Sequence, residues 1–228
     1  MFGTLVNVAA ILSGGTTLGC LLKHGLSQRY EQALFDAMGL TALGIGVQYI
    51  ATNLPHSHYP VLFIVSLALG AVSGTALQID ERFNRVVTHF GDARVGRGIA
   101  TGLLLYCIGA LSIVGPVMAA IKGDQTMLLT NASLDFVTSI VFGASFGWGM
   151  LVCAPVLFLW QGGIFLIARY LSASFFSGAL VTELAAVGGF LILASGLSIL
   201  KIKAIKTLNL LPALLIPILF FIGQMLLN

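Results

Sequence analysis

The stretch Thr130–Gly147, TNASLDFVTSIVFGASFG, decides how the whole chain is read. It is apolar enough to lie in a bilayer, yet Asp135 sits well inside its length. A carboxylate at the centre of a membrane helix costs roughly 2.5–3.5 kcal/mol on insertion scales. Such a group persists where it faces a polar interior, a partner or a bound ion. The remainder of the chain is therefore read as a helical scaffold that gives Asp135 that interior.

Composition points the same way. Of the 228 residues, 58% are hydrophobic and only 8% are charged, whereas a soluble domain carries about a quarter charged residues. Mean hydropathy is +1.02. Several runs of about 20 apolar residues are long enough to cross a hydrocarbon core about 30 Å thick. The expected fold is an all-α polytopic transmembrane bundle, a single domain over 1–228. The net charge of +3 gives no reason to invoke nucleic acid. Cys20, Cys107 and Cys153 lie in apolar runs without metal or redox spacing, and are read as small apolar residues. Met1–Leu22 has no basic start, and its apolar run is too long for the core of a signal peptide, so it is read as a first membrane helix that stays.

The apolar runs suggest about eight crossings: about Phe2–Leu22, Tyr30–Ala51, Tyr59–Leu77, Gly98–Ile121, Thr130–Gly147, Leu151–Leu171, Phe176–Leu200 and Leu208–Leu227. Between the third and fourth, Ile79–Asp92 places Ile79, Phe83, Val86, Val87 and Phe90 on one helical face, with Arg82 and Arg85 among the polar positions. That pattern suits a helix lying in the membrane surface. Thr130–Leu171 reads as two crossings with a break at Trp148-Gly149. Two crossings there put nine of the eleven Lys and Arg on one side of the membrane, whereas one bent crossing would split them seven to four. The positive-inside rule prefers the first arrangement, in a bacterial cytoplasmic membrane with both termini facing away from the cytoplasm.

Two further patterns concern organisation. Asp36 and Gly44 recur eight residues apart as Asp135 and Gly143, and Pro60-Val61-Leu62-Phe63 recurs as Pro155-Val156-Leu157-Phe158. These matches suggest inverted three-helix repeats over 30–121 and 130–200, of the kind found in secondary transporters. The alternative is chance recurrence of abundant residues. The pairs Gly15/Gly19, Gly70/Gly74, Gly98/Gly102 and Gly143/Gly147 let helices touch and are compatible with a homodimer.

Of the eight acids, only Asp36, Asp135 and Glu183 fall more than one turn inside membrane runs, and no basic residue lies deep in any of them. Two acids with amide and hydroxyl oxygens around them would bind a proton or a hard cation. Asp135 and Glu183 are the principal candidates, assisted by Asn7, Gln161 and Asn209. Asn131, Ser133 and Thr182 lie nearby in sequence. Pro212 and Pro217 interrupt the last helix and free carbonyls one turn back, so the broken part should face protein or a cavity. No Cys/His cluster, nucleophile elbow or His-Glu-x-x-His motif is present. We expect neither an enzyme nor a cofactor, and a partner set of lipid bilayer with a small solute, proton or cation. A structural or regulatory protein, associating with a partner through its glycine faces, is the rival reading.

Four blocks carry a resemblance: Gly3-Thr4-Leu5-Val6-Asn7 with Gly14-Gly15-x-x-x-Gly19; Ser133-Leu134-Asp135; Glu183-Leu184-Ala185-Ala186-Val187-Gly188-Gly189; and Asn209-Leu210-Leu211-Pro212-Ala213-Leu214-Leu215. Together they resemble the domain of unknown function 554 family, the YqgA- or YdfK-like bacterial membrane proteins, over nearly the whole chain. The resemblance implies a multi-pass protein of the bacterial cytoplasmic membrane, with acids at the positions of Asp135 and Glu183. It implies no activity. Asp36 falls outside the shared blocks.

Overall fold

The computed structural model describes residues 1–21, 27–82, 85, 99, 102–103, 106–107, 110–172 and 178–227. Among them there is no β-strand. The helices are α1 (Phe2–Leu21), α2 (Gln28–Asn53), α3 (Leu62–Ala76), α4 (Ala110–Ile121), α5 (Thr126–Phe146), α6 (Cys153–Ser172), α7 (Gly178–Ile199) and α8 (Leu215–Leu227). Five described stretches are long and apolar enough to cross a membrane: Phe2–Leu21, Thr126–Ala144, Gly147–Tyr170, Gly178–Ile199 and Thr207–Leu226. Leu62–Ala76 and Leu111–Ile121 are shorter apolar helices. Of the expected surface helix, Ile79–Arg82 and Arg85 are helical, and the rest lies outside the described residues.

The chain forms two compact units, each discontinuous in sequence. The first comprises Met1–Ala37 and Asn84–Leu171, the second Met38–Phe83 and Ser172–Asn228. Each unit draws on both of the segments, 30–121 and 130–200, that the sequence suggests as repeats.

The first unit is built on a parallel pair, α1 and α5. Gly3 lies against Leu128, Gly15 against Phe136 and Ser139, and Gly19 against Ile140, Gly143 and Ala144. A Cβ on Gly143 would sit 2.6 Å from the Thr16 carbonyl oxygen, so the two backbones touch. The face of α1 turned this way, Gly3, Asn7, Ile11, Gly15 and Gly19, repeats every four residues. A regular α-helix turns about 100° per residue, so a four-residue period drifts about 40° per step and about 160° from Gly3 to Gly19. The helix meets this mismatch with a π-helical stretch, Ala10–Thr16, in the middle of α1. Its wider turns hold the face on its partner.

Helix α6 doubles back along α5. Phe142 and Phe146, near the end of α5, pack on a cluster that includes Cys153, Ala154 and Leu157. Leu128, near the start of α5, packs on Phe165. The reversal is made by Gly147 at φ +79°, a conformation L side chains rarely adopt, and by the 3-10 stretch Gly147–Val152. The break therefore falls at the expected Trp148-Gly149. Helix α4 runs antiparallel to α5, with Ala119 and Gly115 at the level of Leu128 and Tyr106 at the level of Ser139.

The second unit is centred on α7, which is buried on all faces from Leu180 through Leu191 apart from Thr182 and Phe190. A helix apolar all round is one that lies inside its bundle. It packs antiparallel to α2 through glycines on both helices. Gly39 meets Leu200, Gly46 meets Leu193, and a Cβ on Gly189 or Gly196 would lie 3.0 Å or less from the backbone of α2. The chain from Thr207 to Leu214 is a 3-10 helix holding Pro212. It lies on α3, with Gly70 against Ala213 and Gly74 against the Asn209 carbonyl. The interrupted part of the last crossing thus faces protein, where its freed carbonyls are shielded from lipid.

These glycine contacts set a clear contrast. Gly15→Val forces a side chain into the α5 backbone, and overpacking of this kind costs about 1–3 kcal/mol. Gly163, with nothing within 4 Å of a would-be Cβ, accepts Ala with no loss. Thermal unfolding in detergent, followed by far-UV circular dichroism, should show a lowered midpoint for Gly15→Val and an unchanged or raised one for Gly163→Ala.

Candidate functional site

Asp135 lies in the middle of α5 and is only 3% exposed. Asn131, one turn earlier, donates from Nδ2 to Asp135 Oδ2 at 2.9 Å. Asn7, fully buried on α1, stands beside the same carboxyl. Its amide nitrogen and oxygen are both outside hydrogen-bond geometry to any described group. The four-residue face of α1 and the π-helical stretch together aim Asn7 at α5. Among the described residues no basic side chain acts on Asp135.

Gln161 reaches the same unit from α6. Its Nε2 donates to Ser112 Oγ of α4 at 2.9 Å, while its Oε1 has no described partner. The register of the four helices places Ser112 and Gln161 near the depth of Asp135, between the Leu128 level and the Ser139 level. Thr4 Oγ1 and Thr16 Oγ1 on α1 are also buried and unpaired. An unsatisfied buried polar group costs about 1–3 kcal/mol, and native proteins keep few of them. Ser139, one turn after Asp135, shares a 2.9 Å hydrogen bond with the buried Tyr106 hydroxyl. Thr4, Thr16, Ser112, Ser139 and Tyr106 are absent from the sequence-based set. The spacing Asp135 to Ser139 was the one legible signal for any of them.

The second unit holds Glu183, 0% exposed on α7. Its Oε1 accepts from Ser57 Oγ at 2.6 Å and from the Tyr59 N–H at 3.3 Å. The Tyr59 N–H is also 3.1 Å from Ser57 Oγ. Glu183 Oε2 is buried with no described partner. Tyr59 is held in turn by Gln224 Nε2, which donates to its hydroxyl at 2.7 Å, and by edge-on contact with Phe220 and Phe221. The acid thus anchors the turn before α3. His56 and His58, which flank Ser57, are exposed.

Asn209 belongs to the other end of α3. Its Oδ1 accepts from the Asp80 N–H at 2.9 Å, capping the helical segment that follows α3. Glu183 and Asn209 are therefore not brought together, although both are in the second unit. Asp36, half-buried in the first unit, accepts from Gln32 Nε2 at 2.7 Å. Ser133 and Thr182 turn their hydroxyls back to carbonyls of their own helices. Among the described residues no group of three or more His, Cys, Asp or Glu side chains is placed to hold a metal ion.

Beside Asn209, Lys206 Nζ pairs with Glu81 Oε1. The hydrogen bond from Lys206 holds the Glu81 carboxyl below its ordinary range, and Glu81 in turn raises the Lys206 ammonium. A depressed carboxyl contributes its tie above the ordinary carboxylate value and loses it as pH falls through the depressed one. The raised lysine contributes below its ordinary value and loses its share as pH rises through the raised one. The Lys206–Glu81 tie should therefore hold across neutral pH and fail in acid, leaving the Asp80–Asn209 hydrogen bond in place. Carboxyl-carbon NMR should find Glu81 titrating below a free glutamate, and Lys206→Ala should return it toward the ordinary value.

Comparison with known proteins supplies the family. The family described as Protein of unknown function (DUF554) matches residues 2–222. The uncharacterised membrane protein YdfK of Bacillus subtilis (strain 168) is 48% identical over 217 residues, covering 95% of this chain and 94% of the relative. The uncharacterised protein YqgA of Escherichia coli (strain K12) is 29% identical over 230 residues, with 95% and 94% covered. No solved structure matches the chain. Matched from its second residue to its 222nd, and close to half identical to YdfK along its length, this chain belongs to the DUF554 family.

Proposed function

We propose that this membrane protein is a transporter of a small solute or ion, and that Asp135 is the group that binds a cation or proton. The observation that carries the reading is the setting of Asp135. A carboxyl is buried in an apolar helix, no described basic residue acts on it, and unpaired amide and hydroxyl atoms lie on the helices around it. Intramembrane acids without a structural counter-ion belong to proton and ion pathways. Asn7 and Gln161 supply oxygen atoms on facing helices, and Glu183 is a second acid whose Oε2 is free to accept. The host membrane is the bacterial cytoplasmic membrane, with both termini away from the cytoplasm, as the distribution of Lys and Arg favours. The protein acts without a cofactor and is not an enzyme.

Glu183 and Asn209 also support a second reading. Both side chains close local turns through hydrogen bonds, as they would in a protein that serves as a structural or regulatory scaffold. A homodimer belongs to that reading, through a face other than Gly15, Gly19, Gly70, Gly74 and Gly143, which pack within the chain.

Purified protein in liposomes separates the two. Under an imposed proton or alkali-cation gradient, the transporter reading expects flux that Asp135→Asn lowers by about tenfold or more, the scale set by loss of one positioned proton-transfer group. The variant should keep its wild-type melting profile. Equal flux in wild type, Asp135→Asn and protein-free liposomes would sink the transporter reading and favour the scaffold.

A further inference from the structure

We infer that the species exchanged at Asp135 is a proton, and that the Ser139–Tyr106 hydroxyl pair is the relay that delivers it. This rests on the transporter reading above and narrows it to one ion and one route.

The first argument is the donor set. A hard metal cation takes about six or more oxygen ligands. At Asp135 one carboxyl oxygen already accepts an amide N–H from Asn131, and among the described residues no group of three or more His, Cys, Asp or Glu side chains is placed to hold a metal ion. One carboxyl is enough for one proton, whereas a dehydrated metal ion would have to recruit the Asn7 and Gln161 oxygens and several more besides.

The second argument is room. From the level of Ser139 onward, α1 and α5 are in backbone contact. A Cβ on Gly15 would lie 2.8 Å from the Phe136 carbonyl oxygen, and one on Gly19 would lie 2.8 Å from the Ala144 nitrogen. Beyond that seam, Ile11, Cys107, Met150, Cys153, Ala154 and Leu157 form a buried apolar cluster around the Tyr106 ring. A hydrated ion has no passage there. A chain of hydroxyls needs none, because a proton moves along it without any heavy atom changing place.

The third argument is the chain itself. Ser139 follows Asp135 by four residues, which puts the two side chains on the same helical face one turn apart. Tyr106 Oη and Ser139 Oγ are 2.9 Å apart, and either can donate. Asp135 acts electrostatically on Tyr106 and Cys107, the titratable groups that face it from the helical turn before α4. Neither α1 nor α6 adds a described ionisable group that acts on it. In the relay, a proton delivered to Tyr106 Oη is matched by transfer of the Tyr106 hydroxyl proton to Ser139 Oγ. Ser139 gives its own proton to an Asp135 carboxylate oxygen. Both hydroxyls end as they began, and the carboxylate has become a carboxylic acid. Transport then requires that the carboxylic acid give up its proton toward the opposite side, away from this hydroxyl pair.

The test uses full-length protein in liposomes loaded with a pH-sensitive dye, beside parallel uptake of radioactive sodium and rubidium. Ser139→Ala keeps the Cβ that packs on Gly15, and Tyr106→Phe keeps the ring in its cluster, so both should fold as wild type. Each should lower proton flux by about tenfold or more. Ser139→Thr, which restores a hydroxyl, should recover most of it. Proton flux in the wild type should slow in heavy water, and that slowing should vanish in Ser139→Ala, a readout that a packing role would not move. If Asp135→Asn abolishes proton flux while Ser139→Ala and Tyr106→Phe leave it intact, the relay is overturned and the transporter reading stands. Sodium or rubidium flux that depends on Asp135 overturns the choice of proton. Flux indifferent to Asp135 overturns both the relay and the reading beneath it.

Discussion

The contact on which the first unit depends is backbone against backbone, where α1 meets α5 at Gly15, Gly19 and Gly143. In a membrane there is little hydrophobic gain from pressing two apolar helices together, because lipid is as apolar as leucine. Close packing has to supply the association, and small residues are what make it close. The same closeness explains how an acid is tolerated beside it. With α1 held against α5, Asn7 is kept next to Asp135, and lipid is kept away. Part of the cost of the carboxyl is met by the Asn131 amide of its own helix.

That arrangement makes a demand on α1. Its contact residues fall every fourth position, and a regular α-helix would have carried Asn7 and Gly19 to different faces. The π-helical stretch between them resolves the conflict locally. Such wide turns are rare and are found mostly at functional sites. Here the reason is geometric: the helix must offer glycines to pack and an amide to the acid along one line.

Much of this was legible in the sequence. The membrane class, the helical fold and the reversal near Trp148-Gly149 follow from hydropathy, glycine placement and charge balance. Asp135, Glu183, Asn7 and Gln161 stood out because polar groups are costly in apolar runs, and all four are fully or almost fully buried. What escaped was pairing. Ser57 sits between two histidines in a short loop, and nothing local says that its hydroxyl meets an acid 126 positions later. The π-helical stretch has no composition signature, and its four-residue rhythm shows only when the partner face is known. Tyr106 reads as an ordinary aromatic until its hydroxyl is placed against Ser139. Asn209 was read as a ligand because it is polar and precedes a proline. The geometry makes it a cap for the Asp80 N–H, a role that sequence cannot distinguish from binding.

The two buried acids differ in a way that follows from their positions along their helices. Glu183 sits near the start of α7, close enough to a chain turn for Ser57 and Tyr59 to reach it. Loop donors tie the acid to the loop's conformation. Asp135 lies at mid-helix, where every nearby main-chain N–H is committed to the helix, so only side chains can serve it. Side-chain donors are fewer and can turn away. An acid served by them alone is not built into any turn, whereas Glu183 is part of the turn before α3. Mid-helix placement is therefore what leaves Asp135 to side-chain donors, and placement near a chain turn is what lets Glu183 anchor the loop before α3.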